Sequence, residues 1–281
     1  MAIQPQLLAS ERPSFNVKIH CPGKINHFLH VLGRRDDGYH DLQTGFQFIE
    51  WGDWLHFRDS EDFRLAGMSD VACEDNLIWK AAHQLARSAG IEPRGHLEIE
   101  KNLPAGAGIG GGSSNAASAL LLLREQWGLN ISDQTLMKIG TALGADVPIF
   151  LYGMSAIGTG IGEQLEPIDW EEKPIQLFLP GVSVPTAKIF NDQVLTRDSA
   201  PISIRAALDG QGHNDCEPVC RQQFPKVDQL FRLLDGLKPK LSGSGGTVFV
   251  MDNPTPFEEK LPAGMTLVNS FTRNRSSAIK S

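Results

Sequence analysis

Pro104-Ala-Gly-Ala-Gly-Ile-Gly-Gly-Gly-Ser-Ser-Asn115 places five glycines, Gly106, Gly108, Gly110, Gly111 and Gly112, within seven residues, and then runs into Ala116–Gln126, apolar on nearly every face. Glycine tolerates positive φ and lets backbone N–H groups approach a ligand with no Cβ between them. A helix starting here adds unpaired N–H donors and a partial positive charge, so the segment reads as an anion cradle at the head of a buried helix. A plain turn capped by Ser113 or Ser114 needs no such run, because each glycine costs extra backbone entropy. Gly106, Gly108 and Gly111 satisfy G-x-G-x-x-G, but the dinucleotide motif needs a strand soon after its helix and an acidic residue about 20 positions on. Here a second helical pattern, Ser132–Leu143, follows and ends at Gly144. A Walker A loop ends in Gly-Lys-Ser/Thr, and Gly112-Ser113-Ser114 has no lysine. What remains is a triphosphate loop that borrows its lysine, and Lys24 in Cys21-Pro-Gly-Lys-Ile-Asn26 is the candidate.

Upstream of the loop, 16–21 alternates as a strand entering a Pro-Gly turn, and Gly45–Ile49 and Trp54–Arg58 read as two more strands. Asn76–Ala89 has helical spacing (Leu77, Ala81, Leu85) and His96–Glu100 alternates. Downstream, Ile175–Leu179, Thr247–Met251 and Met265–Ser270 read as strands, Thr186–Leu195 and Val219–Leu234 as helices. Strands mixed with helices in both halves predict two α/β layered lobes. The cluster of Pro, Glu and Asp at Pro167–Pro174 divides them, and the polar tail from Thr272 to Ser281 is expected to fray.

A chain of 281 residues corresponds to about two domains. Its 26 basic against 33 acidic residues give a net charge of −7, which excludes non-specific binding to nucleic acid or an anionic membrane surface. A phosphorylated ligand must therefore be held locally, against the mean field. The apolar run Ala116–Leu123 is far short of the ~20 residues a membrane span requires, and the first six residues carry no secretory pattern. Cys21, Cys73, Cys216 and Cys220 form no disulfide framework. Cys216 and Cys220 lack a second Cys/His pair at ligand spacing, so no metal centre is expected. The expectation is a cytoplasmic protein, a monomer or weak homodimer, acting on a small molecule.

The loop resembles the phosphate loop of the GHMP kinases, the family of galactokinase, homoserine kinase and mevalonate kinase. Pro22-Gly-Lys-Ile-Asn26 resembles that family's N-terminal motif, and Leu241-Ser-Gly-Ser-Gly-Gly-Thr-Val-Phe249 its C-terminal glycine motif. His30-Val-Leu-Gly-Arg-Arg-Asp-Asp-Gly-Tyr-His40-Asp-Leu-Gln-Thr44, Gly144–Phe150, Gly181–Phe190 and Asn214-Asp-Cys-Glu217 are similar to the branch acting on a diphosphocytidyl alcohol. The resemblance implies an α+β, two-lobed fold. Its N-terminal lobe, 1–166, would be like the second domain of ribosomal protein S5, and its C-terminal lobe, 167–281, ferredoxin-like, with the active site in the cleft. It also implies transfer of the γ-phosphoryl of ATP to the 2-hydroxyl of diphosphocytidyl methylerythritol, in the non-mevalonate route to isoprenoid precursors. Another small-molecule kinase of the family, such as a homoserine kinase, is the alternative that Gly38-Tyr-His40 argues against. A non-catalytic nucleotide sensor would be expected to lack Lys24 or Asp146.

By the same resemblance Asp146 is the base and Lys24 its partner. Pro104, Ala105, Gly106, Ala107, Gly108, Ile109, Gly110, Gly111, Gly112, Ser113, Ser114 and Asn115 cradle the nucleotide, with Asn76 and Lys101 beside it. Tyr39, His40, Phe46 and Phe190 wall the substrate pocket, and Asn26 and Thr186 bind its polar groups. Mg²⁺ is expected to arrive with ATP, with Ser114 a candidate contact and no carboxylate cage in the chain. Residue chemistry alone leaves a second role open for Asp146, that of a helix cap ahead of Val147-Pro148. The sequence departs from the family at Gly23, His27 and Gly45, of which Gly23 and Gly45 are expected to loosen the substrate side.

Overall fold

Two long antiparallel strands, β1 (Val17–Arg34) and β2 (His40–Arg58), form the spine of the fold. The computed structural model describes residues 17–67, 73–252, 257 and 260–278. Asn16, the first residue of the predicted opening strand, lies outside them. Pro22-Gly23 does not end that strand as the sequence reading had it. The register shifts there, between Asn26 and Leu29, and between Val31 and Gly33, so β1 continues through a series of bulges. A proline that cannot donate to the ladder is tolerated at such an irregularity. The predicted strands at Gly45–Ile49 and Trp54–Arg58 are likewise two parts of β2.

After β3 (Arg64–Ala66) a 3₁₀ turn, Cys73–Asp75, leads into α1 (Leu77–Ala89) and β4 (His96–Glu100). Then come α2 (Gly111–Gln126), α3 (Asp133–Leu143), α4 (Val147–Tyr152), β5 (Ala156–Gly160) and β6 (Gln164–Pro167). Capping sets several of these boundaries: Asn76 accepts from Ile78 N and Ser132 from Thr135 N. Helix α2 is buried almost all round, and Leu120 and Leu123 pack with Leu55, Phe57, Leu97 and Ile99 in the first core. Each such leucine contributes roughly 1.5–3 kcal/mol by burial, enough to hold the head of α2 in place.

The second half comprises β7 (Pro174–Leu179), α5 (Thr186–Phe190), α6 (Ile204–Leu208), α7 (Cys216–Gln223), α8 (Pro225–Leu233), β8 (Lys240–Leu241), β9 (Val248–Met251) and β10 (Thr266–Arg273). Its core packs Phe178, Val248 and Val250 against Val219, Val227 and Leu230. The helix predicted over Val219–Leu234 is two helices, α7 and α8. Pro225 cannot continue α7 and holds Phe224 in an extended conformation at φ −125°. The predicted helix Thr186–Leu195 stops at Phe190.

Strand β2 pairs with β1 along its length and with β5, β10 and β4 in successive segments. Strand β10 joins the halves: it pairs with β2 through Thr272 and Arg273, and with β7 through Thr266 to Phe271. The tail expected to fray is therefore docked as far as it is described. Thr272 is buried, Arg273 Nη1 meets Glu172 at 2.9 Å, and Asn274 Nδ2 donates to Trp170 O at 2.6 Å. The last three residues, 279–281, lie outside the described set.

Gly23 and Gly45 do not loosen this frame. A Cβ at Gly45 would lie 2.7 Å from Trp170 and 2.9 Å from Phe28, and one at Gly23 2.9 Å from Ile49. Larger neighbours fill the space that a bigger side chain would take.

Candidate active site

The glycine loop is tied down from several sides. Val184 N donates to Gly106 O, Thr247 N to Ala107 O and Lys24 N to Ile109 O, at 3.3, 3.1 and 2.9 Å. Gly108 O accepts from both Lys24 Nζ and Ser242 Oγ, at 3.0 and 2.9 Å. Four successive carbonyls are thus satisfied by protein donors. Helix α2 begins at Gly110 with no side-chain cap, which leaves its first N–H groups for an anion. Neither Ser113 nor Ser114 is the cap considered in the sequence. Gly108, at φ +78°, touches the second half so closely that a Cβ would lie 2.2 Å from Ser242 O. The glycines here serve close approach of two chain segments as well as a ligand.

Lys24 is 2 % exposed, and its ammonium has three acceptors around it: Asn26 Oδ1 at 2.6 Å, Gly108 O at 3.0 Å and Asp146 Oδ2 at 3.2 Å. Strand alternation places Lys24 and Asn26 on one face of β1. Asn26 is fixed in turn, since its Nδ2 donates to Thr44 Oγ1 at 2.8 Å and Thr44 Oγ1 donates to Phe28 O at 2.6 Å. Asp146 stands at the start of α4, yet its side chain makes no capping hydrogen bond. The cap role left open by the sequence is not the one it plays. Its carboxylate is 37 % exposed and faces the lysine at the edge of the cavity that it helps to line.

A cavity of about 510 Å³ opens over this pair. Lys24, Asn26, Asn76, Lys101, Asp146, Thr186 and Phe190 line it, with loop residues 104–113 and Asn115. Four of the expected site residues do not. Ser114 is buried behind the loop, its Oγ without a partner among the described residues. Phe46 is 1 % exposed and belongs to the first core, its ring 5.8 Å below the Lys24 ammonium. It supports the lysine and is no pocket wall. Tyr39 is 58 % exposed and outside the cavity lining. His40 is buried next to Phe190, with ring centroids 5.3 Å apart, and burial together with the charges of Arg197 and Arg34 holds its pKa below the usual imidazole value.

The sequence reading did not single out Asp53. It is fully buried, accepts from Asn102 N and Leu103 N at 2.7 Å each, and pairs with the Lys101 ammonium. One carboxylate thereby anchors both the entry to the glycine loop and a cavity lysine. Gly243 and Ser244 also line the cavity. They belong to the C-terminal glycine motif that the sequence had already marked. Cys216 and Cys220 are buried in the second core, where burial pushes the Cys220 thiol up to about 12.

For Mg²⁺, the cavity offers the Asp146 carboxylate, whereas Ser114 Oγ, the contact expected from the sequence, is buried behind the loop; no group of three His, Cys, Asp or Glu gathers among the described residues. Such a set fits a hard ion that keeps most of its ligands as water and phosphate oxygen.

The description "GHMP kinases N terminal domain" matches residues 76–154, from the Asn76 cap through the loop to α4. A 4-diphosphocytidyl-2-C-methyl-D-erythritol kinase of Pseudomonas aeruginosa (strain LESB58) is 43% identical over 240 residues, 84% of this chain and 85% of the relative. The chain belongs to the 4-diphosphocytidyl-2-C-methyl-D-erythritol kinase family. The crystal structure of a 4-(cytidine 5'-diphospho)-2C-methyl-D-erythritol kinase superposes on this family member with a TM-score of 0.75 at 27% identity, covering 91% of this chain and 99% of the other. The Methanococcus jannaschii mevalonate kinase shares the fold, with a TM-score of 0.63 at 15% identity over 94% of this chain and 100% of its own. The α+β, two-lobed GHMP kinase fold expected from the motifs is the fold of the molecule. Among the described residues no helix is long and apolar enough to cross a membrane.

Proposed function

We propose that this chain transfers the γ-phosphoryl group of ATP to the 2-hydroxyl of 4-diphosphocytidyl-2-C-methyl-D-erythritol, giving the 2-phosphate and ADP. The observation that carries the reading is the 3.2 Å pair of Lys24 and Asp146 at the mouth of the glycine cradle. Phosphoryl transfer asks the protein for positioning and for positive charge around the moving group more than for covalent chemistry. The free N–H groups at the head of α2, together with Lys101, hold the nucleotide phosphates. Asp146 orients the acceptor hydroxyl and takes its proton as the new P–O bond forms. Lys24, held by Asn26 and Gly108, aims that carboxylate and meets the charge developing on the transferred oxygens. Mg²⁺ carried by ATP would be held from the protein side by Asp146 and would supply further charge neutralisation; Ser114, buried behind the loop, is not in its reach.

The substrate approaches from the side of Asn26, Thr186, Phe190 and His40, with Tyr39 at the rim. We read the cradle and the base as belonging to a first lobe, 1–166, and Thr186, Phe190, Gly243 and Ser244 to a second, 167–281. The test is ADP release with Mg-ATP on the diphosphocytidyl substrate, homoserine, mevalonate and galactose. Turnover on the first alone is expected. Turnover on another alcohol would keep the kinase and overturn the substrate.

A further inference from the structure

Arg197, half-buried on the loop after α5, spends its donors on neutral acceptors. Its Nε donates to His40 Nε2 at 3.1 Å, Nη1 to Leu195 O at 3.1 Å, and Nη2 to Phe190 O and Asp192 O at 2.9 and 2.7 Å. No carboxylate among the described residues forms an ion pair with it; the Asp192 side chain is engaged by Gln223 and Val194 N. A guanidinium has five N–H donors and no acceptor. The imidazole nitrogen facing it must therefore be the unprotonated one, and the ring proton of neutral His40 must sit on Nδ1. Nδ1 has no hydrogen-bond partner among the described residues. The same guanidinium holds the carbonyl of Phe190, a cavity-lining residue whose ring lies beside His40.

We propose that Arg197 is a positioning residue that fixes His40 as its Nδ1–H tautomer beside Phe190. The ring then carries its one neutral N–H on the edge turned away from Arg197, next to the cavity-lining Phe190, for a base edge bearing an acceptor, as cytosine does at O2 and N3. The inference rests on the reading of His40 and Phe190 as walls of the substrate pocket. Burial and the charges of Arg197 and Arg34 keep the ring neutral, so the donor is a single oriented N–H and no cation. A loop staple with no role in binding would also use the three carbonyl contacts. It would have no need of the fourth, to a ring nitrogen.

The tautomer is read directly, without substrate, from the two-bond nitrogen–proton correlations of the nitrogen-15-labelled wild-type enzyme, with His40→Asn used to assign the ring. The expected pattern is a protonated Nδ1 and a bare Nε2; a protonated Nε2 would overturn the proposal even if no variant folds. Arg197→Met is expected to mix the tautomers and to raise KM for the diphosphocytidyl substrate about tenfold, the loss of one aligned hydrogen bond. KM for ATP and kcat should stay within about twofold. Asparagine carries its own amide donor near the Nδ1 position, so in a His40→Asn background Arg197→Met should have little further effect. An equal rise in KM in both backgrounds would make Arg197 a staple only. If the kinase reading itself fails, the tautomer still stands or falls on the spectra.

Discussion

Replacing Gly110 with alanine adds a methyl group where the chain has no room for it. Gly110 sits at φ +73°, a conformation that costs an L-residue roughly 1–2 kcal/mol. Its Cβ would lie 2.8 Å from the Phe150 ring and 3.1 Å from Lys24 Cε. Overpacking of that kind costs a further ~1–3 kcal/mol, for a total of about 2–5 kcal/mol. At about 2–4 °C per kcal/mol for a chain near this size, the melting temperature should fall by roughly 4–20 °C. Relief of the clash pushes on the stem of Lys24, so kcat should fall about tenfold or more even where the variant remains folded. The clash points toward Phe150 and the lysine, not into the phosphate cradle as the sequence alone implied. Gly112 is the control: its Cβ would meet nothing nearer than Leu77 Cδ1 at 3.7 Å, and its φ lies outside the left-handed region. Gly112→Ala should melt within about 2 °C of wild type. Thermal melts and ADP-release assays on both variants check this. A Gly110→Ala enzyme with wild-type melting and turnover would refute the packing argument.

His27 is half-buried, stacks on Trp170 at 4.0 Å and bonds Gln47 Oε1 at 2.8 Å, and loss of water around its ring pushes its pKa down to about 4. Between about pH 6.5 and 4 the unfolded chain binds a proton that the folded chain refuses. Stability should therefore fall with pH across that window, by about 2 kcal/mol at pH 5 relative to pH 7.5 from this residue. Denaturant titrations of wild type and His27→Leu at the two pH values should differ by that amount; equal pH dependence would be contrary. Asp53→Asn leaves the Lys101 ammonium beside an amide and should cost ~3–5 kcal/mol, with weaker ATP binding by calorimetry. Unchanged affinity would remove Asp53 from the support of the site. Gly45→Leu should destabilise against Trp170 and Phe28, and Trp170→Ala should recover part of that loss in the double variant.

The loop and its partners were legible because glycine and lysine spacing are local signals with a direct physical meaning. The phosphate loop, α2, β4 and Lys24 could be placed from residue types, whereas Asp146 was marked only through the family resemblance. Strand continuity through Pro22 was not legible, because a bulge keeps a proline in register only when a partner strand, here β2, is present. The break between α7 and α8 was there to be read in Pro225, which the apolar spacing over Val219–Leu234 outweighed. Phe46 looked like a pocket wall because aromatic type does not reveal which face of β2 it takes. The tail looked loose because its polar residues find Trp170, Glu172 and Gly153 only in three dimensions. Asp53 carried no motif at all: its meaning lies in Lys101, Asn102 and Leu103, about 50 residues away in sequence.

The central claim is that Asp146, aimed by Lys24, moves the proton of the acceptor hydroxyl. Single-turnover phosphoryl transfer by Asp146→Asn at saturating Mg-ATP, with ATP affinity measured by calorimetry on the same sample, tests it most directly. The account predicts a loss of about a hundred- to ten-thousandfold in the transfer rate with ATP affinity within about threefold of wild type. A transfer rate within tenfold of wild type would contradict it.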